Sequence, residues 1–567
     1  MKTYNEQPWL KGYKVGPFSI PTSMGEYPKV SLFQFFNETV QRYPNRSACL
    51  YLGRKISWKE LGLYVDRMAI ALSEMGVSKG DRVATILPTS PQFVISDYAI
   101  LKCGAIHVPC SLLHKESDLN YEIGASGAKI IVCLDVSLDL VKSVKEQTAL
   151  ETIIITALTD FSESEKPTKL VSGTTQLREI ICKGNSTTPA VEIDPENDLA
   201  LLAFTGGATG KPKGVMLTHF NLTSNTLQTL PWFMGPLQDG IKGKSSILIA
   251  LPTFHATGHS LVRSAVHWGL QMILVPDPRD VTGIAVLLKK HRPFMAPMVP
   301  TQYMKIIGKG IGRTNTSFTS GAAPLPLEVV KRFKKETGMP IAEAYGLTET
   351  GPLTHFNLST FSKVTGFMPF EKKGSIGVPV VDTEVKLIDS DSGKDTPLGE
   401  VGEMYIKGPQ VMKGYWPDPG AGLKDGWLPT GDLCRMDEDG YFFVVDRDKD
   451  MINVSGFKVY STTVDSILFQ HPAVNAAVAI GIPDPKRMGS ERVKAFIVLR
   501  EEYVGKITEE DIVAHCREYL APYAVPKYVE FRKNLPQTVT EKLFKKQLRD
   551  EELKKQPSST KRVKHEQ

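Results

Sequence analysis

Short apolar segments alternate with amphipathic stretches through the first third of the chain, and this alternation constrains the fold more than any other feature. The segments with the length and apolar content of buried strands are 82–87, 105–109, 129–134 and 151–156. Helical stretches separate them, and Ser90-Pro91 has residue types that begin a helix. Strands that alternate with helices pair in parallel, so we expect an α/β fold with mostly parallel sheets.

Two serines mark the beginnings of further helices. Ser31 with Gln34 and Ser57 with Glu60 both match the capping-box signature, in which each of the two side chains accepts a hydrogen bond from the other residue's backbone N–H. Apolar residues recur at helical spacing after Ser57, and Gly76 fits the position just beyond a helix end. Both segments are therefore predicted to be helices with capped N-termini.

The composition excludes several classes of protein. The 567 residues carry a net charge of +6, which is small for this length and does not indicate a nucleic-acid partner. The seven cysteines are scattered without a Cys-x-x-Cys pair, which favours free thiols in a reducing compartment. The first residues lack an apolar signal segment, and no apolar run approaches the roughly 18 residues of a membrane span. We therefore expect a cytoplasmic protein, with transient contact with a membrane surface left open.

The chain changes character after Leu398. Glycine, proline and aspartate separate short strands up to Asp446, and a smaller α+β piece follows. Its predicted elements are strands at 476–482 and 493–499 and a helix at 508–520. From about residue 554 the sequence is polar and basic, which is typical of a frayed tail.

A glycine- and threonine-rich loop follows a buried strand in the middle of the chain. The apolar run Leu199–Phe204 predicts the strand, and the loop covers 205–214. Glycines let backbone N–H groups approach an anion and form a concave nest, and Lys213 adds positive charge. Pro212 follows Gly210-Lys211 and excludes a Walker loop, which needs Ser or Thr there. The segment therefore predicts a phosphate-binding loop of another kind.

This loop resembles the phosphate-binding loop of the adenylate-forming superfamily, which comprises acyl-CoA synthetases, peptide-synthetase adenylation domains and luciferases. The resemblance extends from about Ser31 to Arg549. By this resemblance the residues that contact ATP here are Thr205, Gly206, Gly207, Ala208, Thr209, Gly210 and Lys213. Ala208 stands where many members carry Ser or Thr, so one hydroxyl donor is lost while the backbone donors remain.

The segment 343–349 resembles the adenine and magnesium motif of the superfamily. The resemblance implies that Tyr345 stacks on adenine, Thr348 binds the α-phosphate and Glu349 holds Mg²⁺. It also implies that Ala344 belongs to the nucleotide site. Mg²⁺ prefers hard oxygen ligands, which suits Glu349, and Thr205 is a second candidate for the metal site. Ala322 lies in a segment of small residues that resembles the lining of the adenine and acyl pockets.

Further along, Thr430-Gly431-Asp432 resembles the ribose-binding motif. A carboxylate such as that of Asp432 can accept hydrogen bonds from both ribose hydroxyls. By the same resemblance Arg447 reaches the ribose or a phosphate, and its fixed donors suit either group. Lys449 takes the hinge position of the superfamily. We therefore expect a large multi-subdomain N-terminal domain at 1–446 and a small mobile C-terminal domain at 447–567.

Two segments of the C-terminal domain resemble superfamily motifs that act in different half-reactions. The segment 454–458 resembles the strand that lies along the pantetheine of coenzyme A, and Ser455 and Gly456 are the contacts implied, with Gly456 leaving room for the ligand. The segment 535–542 resembles the catalytic-lysine motif, in which Lys542 bridges the substrate carboxylate and the α-phosphate as charge builds in the transition state.

The segment 251–258 resembles the motif whose aromatic residue or histidine gates the acyl site, and His255 takes that position, with a purely structural role as the alternative. The apolar residues expected around it are Leu261, Val262, Val266, Val299 and Met304. The sequence identifies no buried acid there that would hold the amino group of an amino acid. A medium- or long-chain fatty acid is therefore the expected substrate.

Taken together, the resemblance implies an ATP-dependent acid–thiol ligase that uses Mg²⁺ and coenzyme A and forms an acyl-AMP intermediate. Four alternatives stay open: an aryl-CoA ligase, a short-chain acyl-CoA ligase, an acyl-AMP ligase that serves a carrier protein, and a non-catalytic paralogue. The last rests on departures from the superfamily pattern at Ala208, Thr463 and Glu541. The oligomeric state is open, with a homodimer as one option.

Overall fold

A computed structural model describes the chain except for residues 1–3, 16–17, 165–170, 183–189, 206–211, 234–237, 322–324, 326, 358–371, 373, 488, 537–544 and 556–567. Residue contacts divide it into two compact units. The first comprises Met1–Glu400, Met404–Thr430 and Met436–Phe443, and the second comprises Val401–Glu403, Gly431–Arg435 and Val444–Gln567.

The helices of the described residues are α1 (Leu32–Arg42), α2 (Trp58–Glu74), α3 (Pro91–Lys102), α4 (Glu116–Ser126), α5 (Leu138–Lys145), α6 (Leu177–Cys182), α7 (His219–Phe233), α8 (Gln238–Ile241), α9 (Ala256–Trp268), α10 (Val281–His291), α11 (Pro300–Ile306), α12 (Leu327–Thr337), α13 (Ser461–Gln470), α14 (Glu509–Tyr519) and α15 (Lys545–Lys555).

The strands of the described residues are β1 (Lys14–Val15), β2 (Phe18–Ser19), β3 (Ser47–Tyr51), β4 (Arg54–Ser57), β5 (Arg82–Ile86), β6 (Ile106–Pro109), β7 (Ile130–Leu134), β8 (Thr152–Thr156), β9 (Thr175–Gln176), β10 (Leu199–Thr205), β11 (Lys213–Thr218), β12 (Ser246–Ile249), β13 (Gln271–Leu274), β14 (Met295–Met298), β15 (Ser317–Ser320), β16 (Ile341–Gly346), β17 (Leu353–Phe356), β18 (Val378–Pro379), β19 (Glu384–Ile388), β20 (Gly402–Lys407), β21 (Gly414–Tyr415), β22 (Asp418–Pro419), β23 (Leu428–Met436), β24 (Phe442–Arg447), β25 (Ile452–Val454), β26 (Phe457–Val459), β27 (Val474–Pro483), β28 (Glu491–Leu499) and β29 (Tyr528–Phe531).

Two large sheets form the first unit, and in the described residues each has nine strands. Their orders are β22-β21-β11-β10-β6-β5-β7-β8-β9 and β18-β17-β16-β15-β14-β12-β13-β3-β4. The strands from β10 to β9 in the first sheet, and from β16 to β3 in the second, pair in parallel, while antiparallel strands complete the edges. The predicted α/β class with mostly parallel sheets is confirmed.

A smaller set of sheets belongs to the rest of the chain. A four-stranded sheet in the order β19-β20-β23-β24 supplies residues to both units. The second unit contains the β25-β26 hairpin and the sheet β27-β28-β29, in which β27 and β28 are antiparallel. Helices α13 and α15 pack on β27. A small α+β unit was expected here, and it is present.

The predicted helix beginnings differ in how they are capped. The Ser57 capping box forms: Glu60 N–H donates to Ser57 Oγ over 3.2 Å, and Ser57 N–H donates to Glu60 Oε2 over 2.8 Å. The predicted box at Ser31 and Gln34 is wrong, because the Ser31 side chain makes no capping bond although α1 begins just after it. The N–H of Leu32 instead donates to the ring of His219, a partner distant in sequence.

Buried apolar side chains cover both faces of the parallel sheets and form the core of the first unit. One cluster includes Leu248, Phe318 and Phe333, and a second includes Ile131, Val141 and Ile153. Among the described residues, no helix is both long enough and apolar enough to cross a bilayer.

Candidate active site

The predicted magnesium motif lies where β16 leaves its sheet. Strand β16 ends at Gly346, and a 3₁₀ turn from Thr348 to Thr350 follows directly. Gly346 is required by close packing, since a Cβ there would lie 1.8 Å from the carbonyl oxygen of Pro352. Thr348 and Glu349 are both half-buried in this turn, so they are held by the fold and still reach its surface.

Glu349 is held by side-chain and backbone contacts. Its Oε1 accepts a hydrogen bond of 2.8 Å from the hydroxyl of Tyr415, and its backbone carbonyl accepts one of 2.8 Å from the N–H of Met412. Burial, with the charge of Glu349 adding to it, raises the pKa of Tyr415 above its usual range, so the hydroxyl stays protonated and donates. Nothing in the sequence marks Tyr415 as a site residue, since it lies in a Gly-Tyr-Trp segment that matches no catalytic or binding motif.

The ends of the predicted phosphate loop adjoin the same group. Thr205 at the end of β10 lies opposite Lys213 at the start of β11 in an antiparallel hairpin, and Val215 of β11 lies opposite Tyr415 of β21. The ammonium of Lys213 is 4.7 Å from the centre of the Tyr415 ring. The structure therefore brings Lys213, Tyr415 and Glu349 together. The predicted loop residues Gly206, Gly207, Ala208, Thr209 and Gly210, and also Ala322, lie outside the described residues.

The donor chemistry of this site fits magnesium. Mg²⁺ is bound in proteins through one or two carboxylates together with substrate phosphates and water. Glu349 supplies a carboxylate on a fixed turn, and the half-buried Thr205 hydroxyl is a second hard oxygen at the end of β10. These residues therefore suit the predicted metal site.

The predicted adenine residues lie on β16 just before the turn. Ala344 pairs with Phe356 and Tyr345 with His355 across the β16–β17 ladder. The rings of Tyr345 and His355 meet edge to face, with centres 5.7 Å apart. Burial lowers the pKa of His355 to about 3, so this imidazole is neutral and fixes the Tyr345 ring without bringing charge to the site.

His255 is the residue that precedes α9. Its Nδ1 accepts a hydrogen bond of 3.3 Å from the N–H of Thr257, and the residue is half-buried. The contact caps the helix, which is the structural role named as the alternative. Of its expected apolar neighbours, Val262 and Val266 are fully buried on α9, and helix α9 packs against α1.

The structure also contains a buried acid that the sequence analysis did not recognise. Asp97 on α3 lies among the histidines His107 and His259, and Arg263 follows His259 by one helical turn on α9. Two features of the sequence could have indicated this cluster. One is an acid within a mostly apolar helix, and the other is the four-residue spacing from His255 to His259 to Arg263. Both oxygens of Asp97 accept hydrogen bonds from histidine and the residue is fully buried, so this acid is already paired inside the protein.

The second unit carries the predicted ribose pair. Asp432 on β23 is buried, and its Oδ1 lies 3.0 Å from Nε of the exposed Arg447 at the end of β24. Lys449 lies in the 3₁₀ turn that follows, and its carbonyl accepts a hydrogen bond of 2.7 Å from Arg549. Asp432 and Arg447 thus form an ion pair within the second unit.

The predicted pantetheine strand requires a correction. Ser455 and Gly456 do not belong to a strand; they form the two-residue turn between β25 and β26. Both have positive φ, of 54° and 89°, the geometry of a hairpin turn whose twist matches the strands. Nothing lies within 4 Å of a Cβ placed on Gly456, so its backbone conformation is reason enough for glycine.

The predicted catalytic lysine, Lys542, lies outside the described residues, but the helix after it is anchored. At the start of α15, Lys545 Nζ donates to Asp465 Oδ2 over 2.8 Å and to Ser461 Oγ over 2.7 Å. Ser461 and Asp465 lie on α13. Lys545 therefore fixes the start of α15 against α13.

Comparisons with known proteins agree with this architecture. A family model described as AMP-binding enzyme matches residues 36–416, and a model described as AMP-binding enzyme C-terminal domain matches 463–542. A long-chain-fatty-acid–CoA ligase of Bacillus subtilis is 35% identical, over 97% of this chain and 98% of its own length. A feruloyl-CoA synthase of an Amycolatopsis species is 31% identical, over 89% and 96%.

Solved structures share the fold. The structure of an anthranilate CoA ligase with anthranoyl-AMP superposes with a TM-score of 0.80 at 25% identity, covering 94% of this chain and 98% of the other. ATP-bound MatB from Rhodopseudomonas palustris gives 0.79 at 26% identity, covering 92% and 99%. The chain therefore belongs to the AMP-binding enzyme family. It is an adenylate-forming CoA ligase, an AMP-forming acyl-CoA synthetase that takes an acid, ATP and coenzyme A as substrates.

Proposed function

We propose that the acid is a medium- or long-chain fatty acid. The observation that carries this proposal is the similarity to the long-chain-fatty-acid–CoA ligase of Bacillus subtilis, which extends over 97% of the chain and is not confined to the nucleotide motifs. The apolar residues that the sequence places around the His255 motif, and the absence of a charged motif for an amino-acid substrate in the sequence, support it.

In the proposed reaction the substrate carboxylate attacks the α-phosphorus of ATP, which gives acyl-AMP and releases pyrophosphate. The thiol of coenzyme A then attacks the acyl carbonyl, and AMP leaves. Thr348 binds the α-phosphate, and Lys542 stabilises the charge that builds there. Glu349, with Thr205, would hold Mg²⁺, which when bound neutralises phosphate charge. His255 orients the carboxylate at the acyl site.

We further propose that the domains 1–446 and 447–567 serve the two half-reactions in turn. Lys542 is delivered first, and a rotation about Lys449 then presents the hairpin turn at Ser455 and Gly456 to coenzyme A. The turn suits this role because its glycine has open space around it within the second unit. Asp432 holds the ribose, and Arg447, whose Nε lies 3.0 Å from Asp432 Oδ1, reaches the ribose or a phosphate.

The direct test is AMP release in the presence of coenzyme A across acids from acetate to palmitate, with benzoate and ferulate included. We expect kcat/KM to rise with chain length beyond the short acids. Preference for acetate, or for the aromatic acids, would refute the fatty-acid assignment while leaving the ligase class intact.

An aryl acid is the second candidate, because the feruloyl-CoA synthase is 31% identical over 89% of the chain. The same panel separates the two, since a pocket built for a flat ring would favour ferulate or benzoate over every unbranched acid.

A further inference from the structure

A polar cluster of four side chains is enclosed within the first unit. Asp97, His107, His259 and Arg263 are all at most 3% exposed. Asp97 Oδ1 lies 2.7 Å from His107 Nδ1, and Asp97 Oδ2 lies 3.0 Å from His259 Nε2. Arg263 Nη1 lies 2.7 Å from the other ring nitrogen of His259. An acid and a base are thus joined through a histidine in the protein interior.

The donors fix how the protons are arranged. A guanidinium can only donate, so His259 Nδ1 must accept from Arg263, and Nε2 must carry the proton that is donated to Asp97. Burial lowers the pKa of His259, which keeps this imidazole neutral. Burial by itself would raise the pKa of Asp97, but the histidines, His259 foremost, hold it well below its usual range. The cluster therefore joins a carboxylate and a guanidinium through a neutral ring.

The same arrangement argues against a metal ion, although the donor atoms of Asp97, His107 and His259 all lie within 4.8 Å of one another. A ligating His259 would have to offer Nε2 to the ion and carry its proton on Nδ1. That proton would point at Arg263 Nη1, which is itself a donor. A divalent cation would also add charge beside a buried guanidinium, so the described donors favour a hydrogen-bonded relay over a metal site.

The relay ends on the backbone of the predicted magnesium turn. Arg263 Nη2 donates to the carbonyl of Gly351, the residue that closes the turn after Glu349. On the far side of Gly351 the backbone of Leu353 is held by Asn225, whose amide donates to its carbonyl over 2.7 Å and accepts from its N–H over 3.3 Å. Of these contacts to the backbone of Gly351 and Leu353, the one from Arg263 comes from a charged side chain.

We propose that Asp97, His259 and Arg263 form a buried relay that positions the turn carrying Thr348 and Glu349 for binding ATP with its metal. Asp97 compensates the charge of Arg263 and fixes the tautomer of His259, and Arg263 fixes the turn. These are positioning residues without substrate contact. The inference rests on the proposed role of the turn, and it adds residues that no superfamily motif in the sequence identifies.

The test compares the Arg263→Gln variant with the Asp97→Asn/Arg263→Gln double variant. Arg263→Gln is expected to lower the melting temperature and to weaken ATP binding in magnesium buffer about tenfold, the low end of the factor expected for a hydrogen bond from a charged group. The double variant removes the buried charge left behind on Asp97. It should recover most of the melting temperature while ATP binding stays weak, because the contact with Gly351 is still absent.

The readouts are the ATP dissociation constant from titration calorimetry, the KM values for ATP and the acid, and the melting temperature. The KM for the acid should stay within about twofold. Arg67→Gln is the matched control: Arg67 also donates to a backbone carbonyl, that of Ile181 at 2.6 Å, on α6, which carries none of the predicted site residues. This control should leave ATP binding unchanged.

Recovery of both stability and ATP affinity in the double variant would overturn the relay, because the cluster would then act only in packing. Failure of both variants to fold, or stoichiometric zinc in the purified protein, would overturn it as well. An absence of turnover with every acid would count against the proposed function alone, since the calorimetric constants still test the relay.

Discussion

Changing Tyr415 to phenylalanine removes one hydroxyl from the candidate site and leaves the ring in place. The Tyr415 hydroxyl donates to Glu349 Oε1 over 2.8 Å, and the ring lies 4.7 Å from the ammonium of Lys213. A hydrogen bond to a charged acceptor contributes about 1.5–3 kcal/mol. Because Glu349 is half-buried and water can partly replace the hydroxyl, we expect the lower figure, which corresponds to roughly a tenfold change in affinity.

The assay is pyrophosphate release during acyl-AMP formation, titrated with MgCl₂ at saturating ATP. Tyr415→Phe should raise the magnesium midpoint roughly tenfold, since the Glu349 carboxylate loses the contact that orients it. Tyr415→Leu should raise it further, because the cation–π contact with Lys213 adds about 0.5–1 kcal/mol. An unchanged or lowered midpoint in Tyr415→Phe, with an unchanged melting temperature, would refute the assignment of Tyr415 as the residue that orients Glu349.

Three further outcomes are expected. Lys542→Ala should abolish acyl-AMP formation but leave thioester formation from synthetic acyl-AMP largely intact, and equal loss of both half-reactions would contradict the division of roles. Lys545→Met should cost about 3 kcal/mol in guanidinium unfolding by leaving the Asp465 carboxylate without its cationic partner, and adding Asp465→Asn, which keeps an oxygen for the N–H of Ala479, should restore most of it; no recovery would count against the ion pair. Burial raises the pKa of Glu122 from 4.5 to about 8, so the folded chain holds a proton that the unfolded chain releases between those values. The contribution of this carboxyl to the free energy of unfolding should therefore fall as the pH rises from about 4.5 to 8, so the stability of Glu122→Gln relative to the unchanged chain should rise over that range; equal slopes for the two proteins would disprove the assignment.

The elements that the sequence predicted well are those whose signals are local. The segment 82–87 became the strand Arg82–Ile86, and the predicted helix at 508–520 became Glu509–Tyr519. The capping box at Ser57 formed because both partners lie within one turn. The matching signature at Ser31 failed because the N–H of Gln34 donates to the Ser31 carbonyl and the Gln34 side-chain amide donates forward to Glu38. The same two residue types at the same spacing thus have other hydrogen-bond partners, so the pattern alone does not decide whether the box forms.

The motifs of the candidate site were predicted by resemblance, but their geometry was not. The strand at 454–458 was implied by resemblance, although Ser-Gly is a dipeptide typical of turns, and the structure has two consecutive residues of positive φ there, a conformation that serine rarely takes. The role of Tyr415 could not be predicted either, because it depends on which strands are neighbours in the sheet. Its hydroxyl matters because β21 pairs with β11 beside the turn of Glu349, and strand pairing of this kind follows from the whole sheet.

For the buried cluster, the sequence indicates that Asp97 needs hydrogen-bonding partners but not which residues they are. Every residue from Pro91 to Leu101 is buried, so an ionised Asp97 in that helix needs partners that hydrogen-bond to it. Its partner His259 is 162 positions away, and only the tertiary fold brings the two side chains within 3.0 Å of each other. An acid in a helix that is predicted to be buried therefore indicates that a buried hydrogen-bonding partner, such as a base, is also present. The fold decides which base it is, and in this chain Arg263 also contacts the turn that carries Glu349.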